Sequence, residues 1–409
     1  MNSATDTSVH NIGQVKRNVS ILAVCQALAM SGTSLVMTVT ALAGLMLADD
    51  KSLATLPLAV QFLGTMAMTF PASMFMGRVG RRLGFSLGQV IGICGAGLSS
   101  YAIFEQSFWI FVVGSFLLGS HNAFWQYFRF AAADHAPVDL RSRAISYVLA
   151  GGVVAAFAGP QLSKISVDLF EPVLFAGGYV AIIGLNIASI VLLQFIDMPK
   201  PVVAKIEIKG RPLKEIASQP LFQIAVLSAL IGYSLMNLVM SATPLAMQVC
   251  GFGFNDSTTV IQWHVLAMFA PSFFTGDIIR HFGALKVIMA GIVLFMISMV
   301  INISGIEFYH FLSGLVLLGL GWNFMFIGGT SLLTECYNPE ERSKVQALND
   351  FMVFAAVAFS SFSSGLLHNA FGWTIVNLWM ILPLSIVILF IIRYKWIQRR
   401  GSAVVVGSE

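Results

Sequence analysis

Four side chains in one apolar segment have the types and the spacing of a binding face. Asn122, Trp125, Gln126 and Arg129 follow i, i+3, i+4 and i+7 spacing, which places them on one face of a helix. His121 lies one turn from Trp125, at the edge of that face. Amide, indole and guanidinium donors cannot remain unsatisfied against lipid tails. The face is therefore predicted to line a partner helix or a wet cavity, where its groups can hydrogen-bond and stack on a small solute.

A counterpart of this face occurs in the second half of the chain. Asn323 follows Asn122 by 201 residues, and Trp322 follows His121 by the same number. Because the pattern recurs, Asn122 and Asn323 are predicted to reach one solute from opposite sides of a pseudo-symmetry axis.

Two further apolar segments carry weaker polar stripes. Tyr233, Asn237 and Ser241 recur every four residues, and Gln26 and Thr33 lie seven residues apart. Such stripes either line a cavity or form hydrogen bonds between helices, and the spacing does not decide between the two.

The elements that carry these side chains are membrane helices. Of 409 residues, 57% are hydrophobic and 10% charged, whereas soluble chains have about 25% charged residues. No pattern of short alternating strands, as in a membrane barrel, runs through the chain. Apolar runs of about 20 residues predict an all-α membrane protein with twelve transmembrane helices, at 19–46, 53–76, 84–104, 108–132, 144–166, 173–196, 219–245, 257–279, 284–304, 308–332, 345–367 and 371–393.

Basic motifs between the spans repeat after the midpoint. The run 77–82, Gly-Arg-Val-Gly-Arg-Arg, has its counterpart at 280–286, and the run 137–143 has its counterpart at 339–344. A repeat on this scale indicates a duplicated membrane unit, an architecture found mostly in secondary transporters. We predict two pseudo-symmetric six-helix bundles, at 1–196 and 219–409, joined by a cytoplasmic linker at 197–218.

The basic residues predict the orientation. Of 23 Lys and Arg residues, 20 fall in the N-terminal tail, the even-numbered loops and the C-terminal tail. Lys51 and Lys164 fall on the other side, and Arg129 lies within a span. Cytoplasmic loops retain Lys and Arg, so both termini are predicted to be cytoplasmic, in a bacterial inner membrane. The net charge of +4 follows from this bias and is not a nucleic-acid footprint.

Twelve spans in two sixes, with a basic Gly-Arg loop after spans two and eight, resemble the major facilitator superfamily. The superfamily loop signature runs Gly-x-x-x-Asp-Arg-x-Gly-Arg-Arg. Arg78, Gly80, Arg81 and Arg82 match it, and Gly77 stands where Asp is usual. The resemblance implies that spans one, four, seven and ten line a central cavity. It therefore assigns to the solute site the residues His121, Asn122, Trp125, Gln126, Arg129, Tyr233, Asn237, Trp322, Asn323 and Gln26.

The same resemblance implies a latch beside the loop after span two. Asp350 lies about two turns inside span eleven, near the end that this architecture brings close to Arg78, Gly80 and Arg81. A carboxylate within a span suggests a function, so Asp350 is predicted to pair with Arg78 or Arg81 when that side closes. The alternative is bonding within its own bundle.

Energy coupling is weakly marked. Proton coupling would use Asp350, His121 or His264, since histidine titrates near neutral pH. A facilitator without coupling stays open. Arg129 is predicted either to pair with the solute or a carboxylate, or to extend to the headgroups. A phosphate-binding Gly-x-x-x-x-Gly-Lys-Ser/Thr loop is absent from the sequence, which excludes ATP hydrolysis by this chain.

The segments 121–137 and 321–354 resemble a group of bacterial permeases that includes flavin-uptake proteins. This implies a secondary transporter that takes up an aromatic, vitamin-like solute such as riboflavin by alternating access. The alternative is proton-coupled efflux of amphipathic drugs. The predicted partners are a small organic solute, the bilayer and, for a coupled transporter, protons. An enzyme, a cofactor, a metal site, a nucleic-acid partner and an oligomer are not predicted.

Overall fold

Long helices make up almost all of the described chain in this computed structural model. The structure describes residues 12–134, 144, 147–148, 150–198, 210–338 and 341–406. The repeated motif at 137–143 and most of the linker, 199–209, therefore lie outside the described residues. Apart from a short 3-10 helix, Lys51–Leu53, and one isolated β-bridge between Phe170 and Val173, every regular element within these ranges is an α-helix.

The first half contributes seven described helices. They are α1 (Ile12–Leu47), α2 (Leu56–Val79), α3 (Arg81–Phe104), α4 (Phe108–Trp125), α5 (Phe128–Asp134), α6 (Gly151–Ser166) and α7 (Ala176–Leu193).

The second half contributes eight. They are α8 (Leu213–Ala217), α9 (Pro220–Val249), α10 (Phe254–Phe269), α11 (Ser272–Phe282), α12 (Ala284–Ser304), α13 (Phe308–Leu333), α14 (Arg342–Leu378) and α15 (Ile381–Val406).

Nine helical segments of the described residues are long and apolar enough to cross a membrane, against twelve predicted spans. Three differences account for this. The described helix of span five, α6, has only 16 residues. Span eight is divided into α10 and α11 at Pro271, which has no N–H to continue the helix. Spans eleven and twelve run on as one stretch, with a kink at Gly372, where φ is 75°. The predicted all-α membrane fold is confirmed, and the number of spans is approximate.

The helices define two faces of the molecule. We call the side with the start of α1, the end of α15 and the turns at Gly80 and Gly283 the terminal face, and the side with Lys51–Leu53 the opposite face. Gly80 and Gly283 end α2 and α11 with φ of 94° and 86°, a conformation that glycine adopts without strain. The predicted repeat of the basic loop is therefore also a repeat of backbone conformation.

Equivalent glycines pack the helices within each half. A Cβ added at Gly119 of α4 would lie 1.8 Å from the carbonyl oxygen of Gln61 in α2. A Cβ at Gly319 of α13 would lie 2.6 Å from the carbonyl oxygen of His264 in α10. The two glycines are 200 residues apart and their partners are 203 apart. Small residues let membrane helices approach closely, and here both halves use them at matching positions.

Gly119→Ala is expected to destabilise the protein by about 1–3 kcal/mol, because the added methyl group forces α2 and α4 apart. Gly184→Ala is the matched control, since a Cβ at Gly184 meets nothing within 4 Å. The melting temperature of both variants in detergent would show this. An unchanged melting temperature for Gly119→Ala would contradict the close contact.

The end of the linker is fixed to the second half. Arg211 donates from Nη2 to Glu341 Oε2 at 2.8 Å, and from its backbone N and its Nε to Oε1 at 2.7 and 3.0 Å. Lys344 donates to the Arg211 carbonyl oxygen. Gly210 allows this approach, with φ of 116° and a would-be Cβ only 2.6 Å from Glu341 Cγ. These hydrogen bonds, with Arg211 first and the Asn338 N–H next, lower the pKa of Glu341 to about 2.

This contact should be insensitive to pH until the medium is strongly acidic. The native pKa of Glu341 is lowered from 4.5 to about 2. Its stabilising effect is therefore complete above pH 4.5 and is lost as the pH falls toward 2. At neutral pH, Glu341→Gln is expected to speed hydrogen exchange at the Arg211 amide. Glu335→Gln, an exposed neighbour in the same loop, should leave that exchange rate unchanged. Equal exchange in the two variants would show that the carboxylate does not hold the linker.

Hydrogen bonds between the two halves, among the described residues, lie toward the opposite face. The Gly365 N–H donates to Thr55 Oγ1 at 2.9 Å, which joins α14 to the start of α2. Lys164 of α6 donates to Thr259 of α10 at 2.9 Å, and Gln161 donates to Gln262 at 2.7 Å. These bonds close the opposite face of the molecule.

Candidate solute-binding site

The terminal end of α4 presents the predicted polar face. Trp125 donates its Nε1–H to Asn122 Oδ1 at 2.9 Å. Gln126 caps the helix, with its N–H bonded to the Asn122 carbonyl oxygen. Trp125 and Gln126 are half-buried, and Asn122 is 8% exposed. The helical spacing therefore brings one indole and two amides together, at the end of α4 and just before α5 begins.

Two opposite charges from the two halves interact near the terminal face. The charges of Arg129, from α5, and Asp350, from α14, interact electrostatically. Asn349 Nδ2 donates to Asp350 Oδ1 at 3.1 Å, and Arg129 Cζ lies 4.8 Å from the centre of the Phe130 ring. This interaction favours the prediction that Arg129 pairs with a carboxylate, which stays a prediction.

The predicted latch between Asp350 and Arg78 or Arg81 stays a prediction, since it forms only when the terminal face is closed. Arg78 is exposed at the end of α2. Arg81 lies over the ring of Tyr127, 5.9 Å from its centre, and Tyr127 donates to the Thr69 carbonyl oxygen at 3.0 Å. The sequence argument favoured Arg78 or Arg81 because it followed the loop signature.

Aromatic rings from three helices of the second half form a cluster that we call the aromatic wall. Trp322 and Phe326 of α13 stack with centres 5.0 Å apart and planes 9° apart. Tyr233 of α9 meets Trp322 and Phe326 edge-on, at 5.4 and 5.5 Å, and Phe269 at the end of α10 meets Trp322 at 5.9 Å. Trp322 is only 5% exposed, whereas Tyr233, Phe269 and Phe326 are half-buried. Trp322 therefore supports the wall from behind, and the other three rings form its accessible surface.

The wall continues toward both the charge pair and the first half. Phe354 lies one turn beyond Asp350 on α14 and 6.4 Å from Tyr233. A Cβ at Gly152 of α6 would lie 3.2 Å from Cγ of Phe269 and 3.1 Å from Cε of Met30 in α1. A flat solute resting on this wall would therefore have a charge pair at one edge and the first half of the molecule in front of it.

Asn323 has a different role from the one predicted. Its Nδ2 donates to the Met268 carbonyl oxygen and to Ser272 Oγ, both at 2.7 Å, and its Oδ1 accepts from Thr275 at 2.6 Å. These bonds satisfy the backbone where Pro271 interrupts the helix, a need that arises wherever a membrane helix breaks. Both N–H groups are used within the second half, so we leave Asn323 out of the proposed site.

Three other predicted residues also lie in helix packing. Asn237 donates to Ser361 Oγ at 2.7 Å and to Ser360 Oγ at 3.3 Å, which ties α9 to α14. His264 Nδ1 bonds the Leu315 carbonyl oxygen at 2.7 Å and is fully buried between α10 and α13. Gln26 is 3% exposed. Asn237 and His264 therefore form hydrogen bonds between helices, which is one of the two alternatives left open by the sequence.

Sequence reasoning missed three rings of the wall and one amide. Phe326 follows Trp322 by one helical turn, so the helical spacing already contained that signal. Phe269 and Phe354 had no such marker, because phenylalanine is equally common on lipid-facing surfaces. Asn349 donates to Asp350. It was missed because the sequence argument considered only the neighbouring carboxylate.

Long apolar helices, with a basic loop whose sequence and backbone conformation repeat in both halves, are typical of a multi-span membrane transporter. The family model described as Major Facilitator Superfamily matches residues 22–270 and 254–409. The chain belongs to the major facilitator superfamily and is a secondary transporter.

Two curated relatives extend this comparison. The chain is 40% identical over 386 residues to a riboflavin transporter, RfnT, of Brucella anthropi, covering 93% of this chain and 96% of that protein. It is 26% identical over 410 residues to the uncharacterized MFS-type transporter YddS of Bacillus subtilis, covering 94% and 93%.

Two solved structures share the fold. A bacterial homologue of the human lysosomal transporter Spinster has a TM-score of 0.69 at 14% identity, covering 92% of this chain and 96% of the other. An auto-inhibited peptide transporter of the POT family also has a TM-score of 0.69, at 12% identity, covering 94% and 97%.

Proposed function

We propose that this chain takes up riboflavin across the bacterial inner membrane by alternating access, with both termini in the cytoplasm. The observation that carries the proposal is the 40% identity to RfnT across almost the whole of both chains. The aromatic wall supports it, since a fused-ring solute stacks on aromatic faces. The ring system would lie against Tyr233, Phe269 and Phe326, with its polar atoms toward Asn122, Trp125 and Gln126.

The arrangement of contacts supports alternating access by two units, 1–196 and 219–409. The close contacts of Gly119 and Gly319 each lie within one half and hold its helices together. The hydrogen bonds between halves are few and lie toward the opposite face. Rocking of the halves would exchange those bonds for a closed contact around Arg129 and Asp350.

Uptake of labelled riboflavin into proteoliposomes that contain only this protein tests the proposal. Accumulation or exchange should be saturable and should be reduced by unlabelled riboflavin. A panel of amphipathic drugs under the same conditions should not compete. Competition by the drugs without any riboflavin transport would favour the efflux alternative.

The orientation is tested separately. A phosphatase fused after Glu409, which is active only outside the cytoplasm, should be inactive in cells, because 20 of 23 basic residues lie on the predicted cytoplasmic side. The same enzyme inserted at Asp50, in the loop that follows α1, should be active. The reverse pattern would invert the proposed orientation.

A further inference from the structure

A small polar cavity lies inside the first half, away from the aromatic wall. The side chains of Thr33, Gln61, His121, Asn122 and Asn186 give it its polar lining, from α1, α2, α4 and α7. Its interior volume is about 10 Å³, close to the roughly 10–15 Å³ that a single water molecule needs. Its size suits water and a proton better than an organic solute.

The histidine in this cavity has one fixed and one available nitrogen. His121 Nδ1 lies 2.9 Å from the carbonyl oxygen of Gly88. A carbonyl oxygen can only accept, so Nδ1 carries the hydrogen and Nε2 keeps its lone pair. Gly92 leaves room for the ring, since a Cβ there would lie 2.9 Å from His121 Cγ and 2.9 Å from Asn186 Nδ2. The ring is therefore held in one orientation with its basic nitrogen free to bind a proton.

The cavity also contains a partner for each protonation state. Asn186 Nδ2, a donor, and Gln61 Oε1, an acceptor, are buried and have no hydrogen-bond partner among the described residues. Their side chains are 3% and 2% exposed. A neutral Nε2 needs a donor and a protonated Nε2 needs an acceptor. Directly or through a bridging water, the two amides supply both.

The surroundings of His121 carry no competing charge. The cavity-lining side chains from α1, α2 and α7, and Gly88 and Gly92 of α3, are not ionisable. Other titratable groups well inside these helices are Cys25, Cys94 and Tyr179; Cys25 contacts the Ser189 carbonyl oxygen and Tyr179 bonds Thr40. The nearest charge along the chain, Arg129, interacts with Asp350. A proton on Nε2 would therefore change the charge of an otherwise neutral region.

One side chain connects the cavity to the proposed solute site. Asn122 lines the cavity, and its Oδ1 accepts the Nε1–H of Trp125 at 2.9 Å. Reorientation of the Asn122 amide toward a protonated His121 would alter the bond that holds the indole. We propose that His121 is the proton-binding group of this transporter and that the Asn122–Trp125 bond couples its occupancy to the solute. The coupling rests on the proposed function, and the proton site itself does not.

The proton step is a simple acid–base exchange. The Nε2 lone pair takes a proton from a hydronium ion that enters the cavity, which leaves a water molecule behind. The Nδ1–H bond to Gly88 is kept throughout. When the halves change position, Nε2 returns the proton to water on the other side, and one proton moves with each solute.

The first test needs no solute. Nitrogen NMR of the full-length protein with labelled histidine, recorded over a range of pH, should show an imidazole signal that titrates and that is absent from His121→Gln. His264 is the matched control, because its Nδ1 has the same type of bond, to Leu315, while its Nε2 is enclosed without a partner. The His264 signal should not titrate in that range. Absence of a His121 titration would overturn the proton site, whether or not riboflavin is transported.

The second test measures the coupling. In proteoliposomes, an imposed inward proton gradient should speed riboflavin uptake by the wild type. One coupled proton changes the apparent Kd by up to about tenfold per pH unit. In His121→Gln the ratio of uptake with and without the gradient should fall to one, whereas His264→Gln should keep the wild-type ratio. A preserved ratio in His121→Gln, or its loss in His264→Gln alone, would overturn the coupling. Failure of the wild type to bind or exchange riboflavin would instead refute the proposed function.

Discussion

Asp350→Asn is expected to reduce the proposed riboflavin uptake about tenfold. The change removes the negative charge that interacts with the Arg129 guanidinium in a partly buried site. Removing one member of a fully buried pair costs about 3–5 kcal/mol. Because both side chains keep some exposure, a smaller loss of about 1.4 kcal/mol is expected, which corresponds to tenfold. The measurement is the initial rate of uptake in proteoliposomes at equal protein content.

The double variant Arg129→Gln with Asp350→Asn separates the charge pair from a wider disturbance. If the two charges act on each other, the double variant should be less impaired than the sum of the single variants. Asp277→Asn is the matched control, since Asp277 and Arg280 form an ion pair at 3.0 Å whose side chains are 73% and 84% exposed. Such surface pairs contribute little. Strict additivity of the two single changes would show that Arg129 and Asp350 act independently.

Trp322→Ala is expected to have the largest effect on the aromatic wall. The indole is 5% exposed and contacts Tyr233, Phe269 and Phe326. Truncating a buried tryptophan costs about 3–5 kcal/mol of folding stability, so the melting temperature should fall and the apparent Km should rise as the three accessible rings lose their support.

Two further variants distinguish the wall from general packing. Phe326→Leu keeps an apolar side chain of similar volume but removes one stacking face, so it should weaken riboflavin binding by on the order of 1 kcal/mol with little change in melting temperature. Trp109→Ala, at the start of α4, removes an indole that is 65% exposed and should change neither quantity. Equal losses of binding in Trp109→Ala and Phe326→Leu would refute a solute site on the wall.

The fold could be predicted from the sequence because the features that indicate it extend over many residues. Apolar runs of twenty residues and basic loops that repeat after the midpoint are not hidden by single exceptions. The apolar runs and the repeated loop after α2 and α11 are present in the described residues. The break at Pro271 was within reach of the same reasoning. It was missed because the hydropathy of the segment 257–279 stays high across the proline.

The candidate site was only partly predictable. Helical spacing placed Asn122 and Trp125 together, because both lie on one helix and the geometry of that helix is fixed. It failed for Asn323, whose sequence position mirrors that of Asn122, because the interrupted helix beside it takes up all of its donors. Arg129 and Asp350 lie in different halves, and no spacing rule along the chain relates them.

The interruption at Pro271 gives the second half a break in a helix whose counterpart in the first half is continuous. In the first half, α2 passes Pro71 as one continuous rod. In the second half the corresponding crossing is two rods, of which α10 is bound to the first half through Thr259 and Gln262, and α11 runs on to the terminal face. Asn323 links the two helices by hydrogen bonds, to Met268 of α10 and to Ser272 and Thr275 of α11. We therefore expect the second half to bend between α10 and α11, just beyond Phe269, more readily than the first half bends at Pro71 of α2.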